Sequence, residues 1–101
     1  MNAFNETIHQ PTRLRVMAVL SSLKRGAWIS FVELRDLVDS TDGNLGAHLQ
    51  KLESEGYIEI KKYFSARKPR TDIAITTAGA AAFESHVKAL KGLIGKGVAK
   101  S

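Results

Sequence analysis

A mostly helical α+β fold is predicted by three observations on the 101-residue sequence. Four stretches carry apolar residues at helical spacing. Two neighbouring stretches, "YIEIKKYF" and "TDIAIT", alternate apolar and polar residues instead. Capping and turn-forming residues fall mostly between these stretches, although Asp42-Gly43 and Gly46 lie at the start of one of the helical ones. A hydrophobic content of 44% and a charged content of 25% are those of an ordinary globular protein, and the length suits one domain. There is no cysteine, which excludes a disulfide framework, a thiolate metal site and a thiol nucleophile. No apolar run approaches the roughly 18 residues of a membrane span. The start "MNAFNETIHQPTR" lacks the apolar segment of a secretory signal, so a cytoplasmic protein without a membrane partner is expected.

Taken in order, Phe4 and Ile8 lie four apart, as on one face of a short helix. Pro11 suits the first turn of a second helix, where its missing N–H costs nothing. In "PTRLRVMAVLSSLKR" the residues Leu14, Met17, Ala18, Leu20 and Leu23 are expected inside, with Gly26 as the stop. Lys24 and Arg25 are then placed at the negative end of the helix dipole. "AWIS" reads as a minimal strand. Ser30 followed by Glu33 is a capping box, opening a helix with Phe31, Leu34, Leu37 and Val38 on its apolar face. "DSTD" breaks that pattern with four turn or cap formers. Thr41 then caps a helix over about 42–55, in which Leu45, Leu49 and Leu52 set the core face and Gly56 suits a left-handed terminus. The two alternating stretches form an antiparallel hairpin across "SARKPR", a polar turn of about six residues. Thr76 caps a final helix with Phe83, Val87, Leu90 and Ile94 in one seam. One domain is expected over 1–94, with a glycine-rich tail over 95–101 that frays.

Helix, short strand, helix, tight turn, helix, hairpin, helix is the order of a winged helix-turn-helix. The class is α+β, mostly α, with a two- to three-stranded antiparallel wing and a C-terminal dimerisation helix. In that fold the second helix of the pair enters the DNA major groove and the hairpin lies along the backbone. The charge agrees. Residues 1–55 carry a net charge of −1 and residues 56–101 a net of +6, with five cations between Lys61 and Arg70. A cluster this local suits a polyanionic partner, although a solvated loop would also carry it.

The segments "TRLRVMAVL", "FVELRDLVDSTDGNLGAHLQKLESEGYIE" and "RKPRTDIAITTAGAAAFESHV" resemble short MarR/ArsR-like winged-helix transcriptional regulators over residues 8–90. The resemblance rests most on "LGAHLQKLESEGYIE", the basic wing and "ITTAGAAAFE". It aligns Thr41 with a cap, His48-Leu49 with a His-Leu pair and Gly56 with a closing glycine. Asp42 and Gly46 depart from the Gln and Ser frequent at those places. The resemblance implies a homodimer bound to double-stranded DNA at near-palindromic operators.

With the core face of the reading helix on Leu45, Leu49 and Leu52, the opposite face carries Gly43, Ala47, Gln50 and Ser54. Asn44 and Lys51 flank one side, Gly46 the other, and His48 borders the core. Small residues permit close approach to base pairs, Asn44 and Gln50 suit bidentate contact with adenine, and Lys51 reaches a phosphate or guanine. Asp42 is expected to satisfy the first-turn dipole. The expected DNA contacts are therefore Thr41, Gly43, Asn44, Gly46, Ala47, His48, Gln50 and Lys51 on the helix. On the wing, over residues 61–71 and placed on the backbone or in the minor groove, they are Lys62, Arg67, Lys68 and Arg70, with Pro69 stiffening the turn. Arg13 and Arg15 are weaker candidates, explained as well by surface salt bridging.

Phe4, Ile8, Phe83, Val87, Leu90 and Ile94 are the expected dimer contacts; the competing reading folds the last helix back on its own core. A crevice between paired helices would have room for a small-molecule effector, which nothing in the sequence identifies. His9, His48 and His86 are far apart in sequence, so neither a metal site nor a cofactor is expected, and His86 is placed at the surface or an interface. No nucleophile–base pair or phosphate loop is present, so an enzyme is not expected. The alternative function is a winged-helix protein–protein interaction module.

Overall fold

The computed structural model describes the backbone of residues 4–100 and the side chains of residues 4–95. Five helices and three strands follow in the order α1 (Glu6–His9), α2 (Pro11–Ser22), β1 (Ile29–Ser30), α3 (Phe31–Val38), α4 (Asp42–Ser54), β2 (Ile58–Ser65), β3 (Lys68–Ile75) and α5 (Thr77–Lys100). The sheet is antiparallel in the order β1-β3-β2. Ile29 pairs with Ile73, which in turn pairs with Ile60, so the short first strand closes the wing onto the helical body.

Local chemistry sets most boundaries. Asn5 and Gln10 cap α1 and α2 through their side-chain oxygens, with Pro11 in the first turn of α2. The Ser30 hydroxyl accepts from the Glu33 N–H at 3.1 Å, the N-cap half of the capping box, and donates to the Glu33 carboxylate. The Thr41 hydroxyl accepts from the Asn44 N–H at 3.2 Å. Gly56, at φ +80°, closes α4 in a Schellman motif: its N–H reaches the Glu53 carbonyl and that of Tyr57 reaches Leu52. The same pair of bonds closes α3, from Asp39 to Asp36 and from Ser40 to Arg35, with Asp39 in the left-handed conformation at φ 54°.

The core joins all these elements. Ile8, Val16, Met17, Leu20, Leu34, Val38, Leu45, Leu49, Leu52, Ile58 and Ile73 are buried around α2, which touches α1, α3, α4, α5 and β3. Val16 rather than Ala18 points inward, because the buried stripe runs through Val16, Met17 and Leu20; Ala18 is exposed. Leu37 is 63% exposed, one turn of helix away from the Leu34–Val38 face. The second helix stops at Ser22. Lys24 and Arg25 lie beyond its cap, and Gly26 belongs to a separate turn in which the Ala27 N–H meets the Lys24 carbonyl.

The wing departs most from expectation. Ser65 pairs with Lys68, leaving a two-residue turn of Ala66 and Arg67, both at positive φ, instead of a six-residue loop. Pro69 stands inside β3 opposite Phe64 rather than in the turn. The last helix has helical backbone through Gly92, Gly95 and Gly97 to Lys100, and Ser101, the end of the tail expected to fray, lies outside the described residues.

At the root of the wing, the α4–β2 corner is fastened to the start of α5. The Thr76 hydroxyl donates to the Gly56 carbonyl at 2.6 Å and accepts from the Gly79 N–H at 2.9 Å, while the Thr76 N–H donates to the Tyr57 carbonyl. A Cβ on Gly79 would collide with that Tyr57 carbonyl. This accounts for "TTAG" in physical terms: a cap followed by the one residue that lets a helix lie against a neighbouring backbone.

Candidate nucleic-acid interface

The reading helix presents a polar, nearly uncharged surface. Thr41, Asp42, Gly43, Asn44, Ala47, Gln50 and Lys51 are exposed, while Gly46 and His48 are half-buried. Asp42 is not a free acid beside the groove. Arg35 on α3 reaches it across the turn at 2.8 Å and also holds Asp36 at 3.1 Å. Hydrogen bonds to Asp42, then to Asp36, raise the Arg35 pKa above its usual value. Lys51 pairs with Glu55 one turn on, at 3.5 Å.

His48 is engaged inside the protein rather than aimed outward with Gln50. Arg13 donates from Nη1 to His48 Nδ1 at 3.1 Å and from Nε to the Thr7 carbonyl at 2.6 Å. Burial, then the Arg13 charge, lowers the His48 pKa, which favours the neutral ring that accepts this bond. Arg13 thus ties α1, α2 and α4 together rather than joining a surface salt bridge.

The wing supplies the positive charge. Lys62, Arg67, Lys68 and Arg70 are exposed and, among the described residues, none of them forms an ion pair. Register divides the hairpin into two faces. One carries the pairs Glu59–Ala74, Lys61–Asp72, Tyr63–Arg70 and Ser65–Lys68; the other carries Ile60–Ile73, Lys62–Thr71 and Phe64–Pro69. On the first face, the Tyr63 hydroxyl donates to Asp72 at 2.9 Å, and Lys61 lies 5.6 Å from the Trp28 ring centroid. The second face looks toward α4. Between them is an open depression of about 330 Å³ lined by Phe31, Gly46, Leu49, Gln50, Ile60 and Lys62, among others. Helix and wing thus flank a trough with an apolar floor and a cation on its wing side.

The expected dimer contacts divide. Phe83, Val87 and Leu90 are half-buried, and Ile94 is 67% exposed with Leu93 beside it. Ile8 is fully buried within its own chain, under α1, and so cannot face a second copy. Phe4 lies against His9 and His86, with ring centroids 4.5 and 4.9 Å away. His86, expected at the surface or an interface, is instead fully buried. Its Nδ1 accepts from the Asn5 N–H at 3.0 Å, and its Nε2 has no hydrogen-bond partner among the described residues. No group of three or more potential metal ligands comes together among the described residues, and no helix there is long and apolar enough to cross a membrane.

Sequence reasoning missed Arg35 and Phe64, and took Arg13 for a weak DNA contact or a surface salt bridge rather than a tie between helices. Arg35 and Asp42 stand seven apart across a turn whose geometry depends on the left-handed Asp39, so no helical spacing signals their pairing. Arg13 meets a histidine 35 positions away. Phe64 only continues the alternation of its strand, which signals no role for it, and it is 77% exposed.

A family model described as winged helix DNA-binding domain matches residues 12–94. An uncharacterized protein of Methanocaldococcus jannaschii, MJ0432, is 34% identical over 87 residues, covering 86% of this chain and 87% of that protein. The solved structure of a transcriptional regulator homologue from Pyrococcus horikoshii OT3 matches with a TM-score of 0.81 and 28% identity, over 91% of this chain and 88% of that one. A transcriptional regulator from Enterococcus faecalis V583 assigned to the MarR family matches in fold with a TM-score of 0.71 and 20% identity, over 94% and 84% of the two chains. Together with the capped reading helix, the three-stranded wing and the long terminal helix, these matches show that the chain belongs to the winged helix DNA-binding domain family and has a MarR-like fold.

Proposed function

We propose that the protein is a homodimeric, sequence-specific DNA-binding transcriptional regulator that acts in the cytoplasm by occupying an operator, without catalysis. The observation that carries this reading is the pairing of two surfaces: a nearly uncharged reading face on α4 and, across one trough, a wing whose cations form no ion pair among the described residues. A surface evolved only for solubility would intersperse charges of both signs there.

In this reading Asn44 and Gln50 meet base edges, and Gly43, Gly46 and Ala47 let the helix lie close to them. Thr41 offers its first-turn backbone to a phosphate, and Lys51 exchanges Glu55 for one. Lys62, Arg67, Lys68 and Arg70 neutralise backbone phosphates. Arg35 holds Asp42 away from phosphate, and Arg13 holds His48, so these residues position the helix and do not read bases. Phe83, Val87, Leu90 and Ile94 pack against a second copy, with Phe4 at the margin. That pairing sets two reading helices about 34 Å apart, one turn of duplex.

Selection of genomic fragments with the purified protein, followed by titration at several salt concentrations, tests the proposal. Arg67→Ala with Arg70→Ala should weaken binding to every sequence and lower the slope of log affinity against log salt by about two. Gln50→Ala should change which sequences are preferred while leaving that slope in place. Wild-type binding by the wing double variant at every salt concentration would overturn the assignment.

A further inference from the structure

The second rung in from the wing turn carries an apolar pair with no core beneath it. Phe64 is the most exposed large apolar side chain among the described residues, at 77%, and its register partner is the exposed Pro69. They share the hairpin face of Ile60 and Lys62, the face that looks across the trough toward α4. Two residues of extended strand separate Lys62 from Phe64, so the ring stands about 7 Å further out along the wing. Near it on the hairpin are cations that form no ion pair among the described residues: Arg67 in the turn, and Lys68 and Arg70 on the opposite face. The nearest acid in β3, Asp72, is occupied by Tyr63 on the opposite face.

Charge selects the occupant of this tip. A greasy protein surface would leave three neighbouring cations unsatisfied, whereas a polyanion satisfies them. Geometry selects the groove. With α4 in the major groove, the trough and Lys62 straddle one phosphate strand, and the wing tip comes to the minor groove beyond it. A two-stranded ribbon is too broad to enter a groove about 6 Å wide, so only side chains at its rim go in. Arg67 at the turn is one; the Phe64 ring is the other. Exposed aromatic side chains carried into a minor groove act as wedges between base pairs.

Resting on the DNA-binding reading, we propose that Phe64, backed by Pro69, is an apolar wedge that partly unstacks one base step in each half-site and bends the bound duplex. Cations on the same hairpin hold the tip in place while the ring enters. The wing then contributes shape selectivity, favouring pyrimidine–purine steps, which unstack most readily.

The probe is the duplex that the wild-type protein enriches from genomic fragments. It is labelled at both ends with a fluorescent donor–acceptor pair and carries 2-aminopurine in place of adenine at successive positions. Wild-type protein should shorten the end-to-end distance, by a bend of roughly 20–90°, and brighten 2-aminopurine at one step per half-site. F64L, which keeps an apolar wedge, should retain both signals. F64A should lose both and bind about tenfold more weakly, with unchanged thermal melting. F64K adds a phosphate-seeking cation; it should bind at least as tightly as wild type and still leave the duplex straight. Bending by F64A or F64K equal to wild type would overturn the inference, as would a straight, stacked duplex under wild-type protein. So would a change in sedimentation of free F64A, which would make the ring a contact between copies. If the wild-type protein enriches no fragment and binds no duplex, the DNA-binding reading itself falls.

Discussion

A methyl group added at residue 79 would strike the Tyr57 carbonyl, whereas one added at residue 46 would meet open space. The two glycines therefore give opposite results when replaced. Gly79→Ala should destabilise the fold by about 1–3 kcal/mol or more, since backbone on both sides must shift. Gly46→Ala should stabilise it by up to about 1 kcal/mol through helix propensity. Urea denaturation midpoints check both. Nothing inside the chain requires glycine at 46, so a loss of DNA affinity in the stabilised variant would show that the space is reserved for the duplex. His86 sets a pH dependence. Burial, then the neighbouring His9, lowers its pKa, with Glu6 opposing. Because the folded value lies below the unfolded value of about 6.5, the unfolded chain binds the proton first. Stability is whole above that value and declines as pH falls through it toward the folded pKa. His48, lowered by burial and Arg13, adds in the same direction. Melting temperatures should therefore drop on acidification from neutral pH, and His86→Gln should remove part of the drop. None of this is written locally in the sequence: His86 is buried by a segment 81 positions away, which holds it through the Asn5 N–H.

The elements were legible where their signals are local. Capping by Ser30, Thr41 and Thr76, the Leu45–Leu49–Leu52 stripe and the Gly56 terminus all appear where spacing places them, because each depends on residues within one or two turns. The wing turn was not legible, since Ala66-Arg67 lacks the Asn-Gly or Asp-Gly pair that announces a two-residue hairpin. Both residues are held at positive φ, an arrangement costing side chains about 1–2 kcal/mol each. Ala66→Asn with Arg67→Gly should therefore raise the unfolding free energy by about 1–2 kcal/mol. The same change removes one cation, so the salt slope of DNA binding should fall by about one. Greater stability with weaker binding would locate the reason for Arg67 in its charge rather than its conformation. On α4 the sequence indicated which face turns outward but not which side chains on it are free, because the partners of Asp42 and His48 come from α3 and α2.

At the scale of the whole molecule the chain is elongated, 58 × 25 × 23 Å, with a radius of gyration of 15.1 Å against about 13 Å for a compact domain of this length. The long last helix accounts for the excess, since 24 residues extend about 36 Å. Its seam divides between the two readings open at the sequence level. Phe83 packs on the chain's own core, whereas Leu93 and Ile94 are 59% and 67% exposed. Ile94→Lys should leave thermal melting of a dilute sample nearly unchanged and convert a dimer to a monomer in sedimentation velocity at micromolar protein. It should also remove the cooperative second half-site from DNA binding. The Thr76 clamp gives this architecture a mechanical character. With Gly56, Tyr57 and Gly79 bonded or in backbone contact, the end of α4 is tied directly to the base of the α5 shaft. One alanine inserted into the shaft beyond His86 would rotate everything after it by about 100° and advance it by about 1.5 Å. In the proposed dimer each reading helix would remain able to grip its own half-site, yet the two would be out of phase on the duplex.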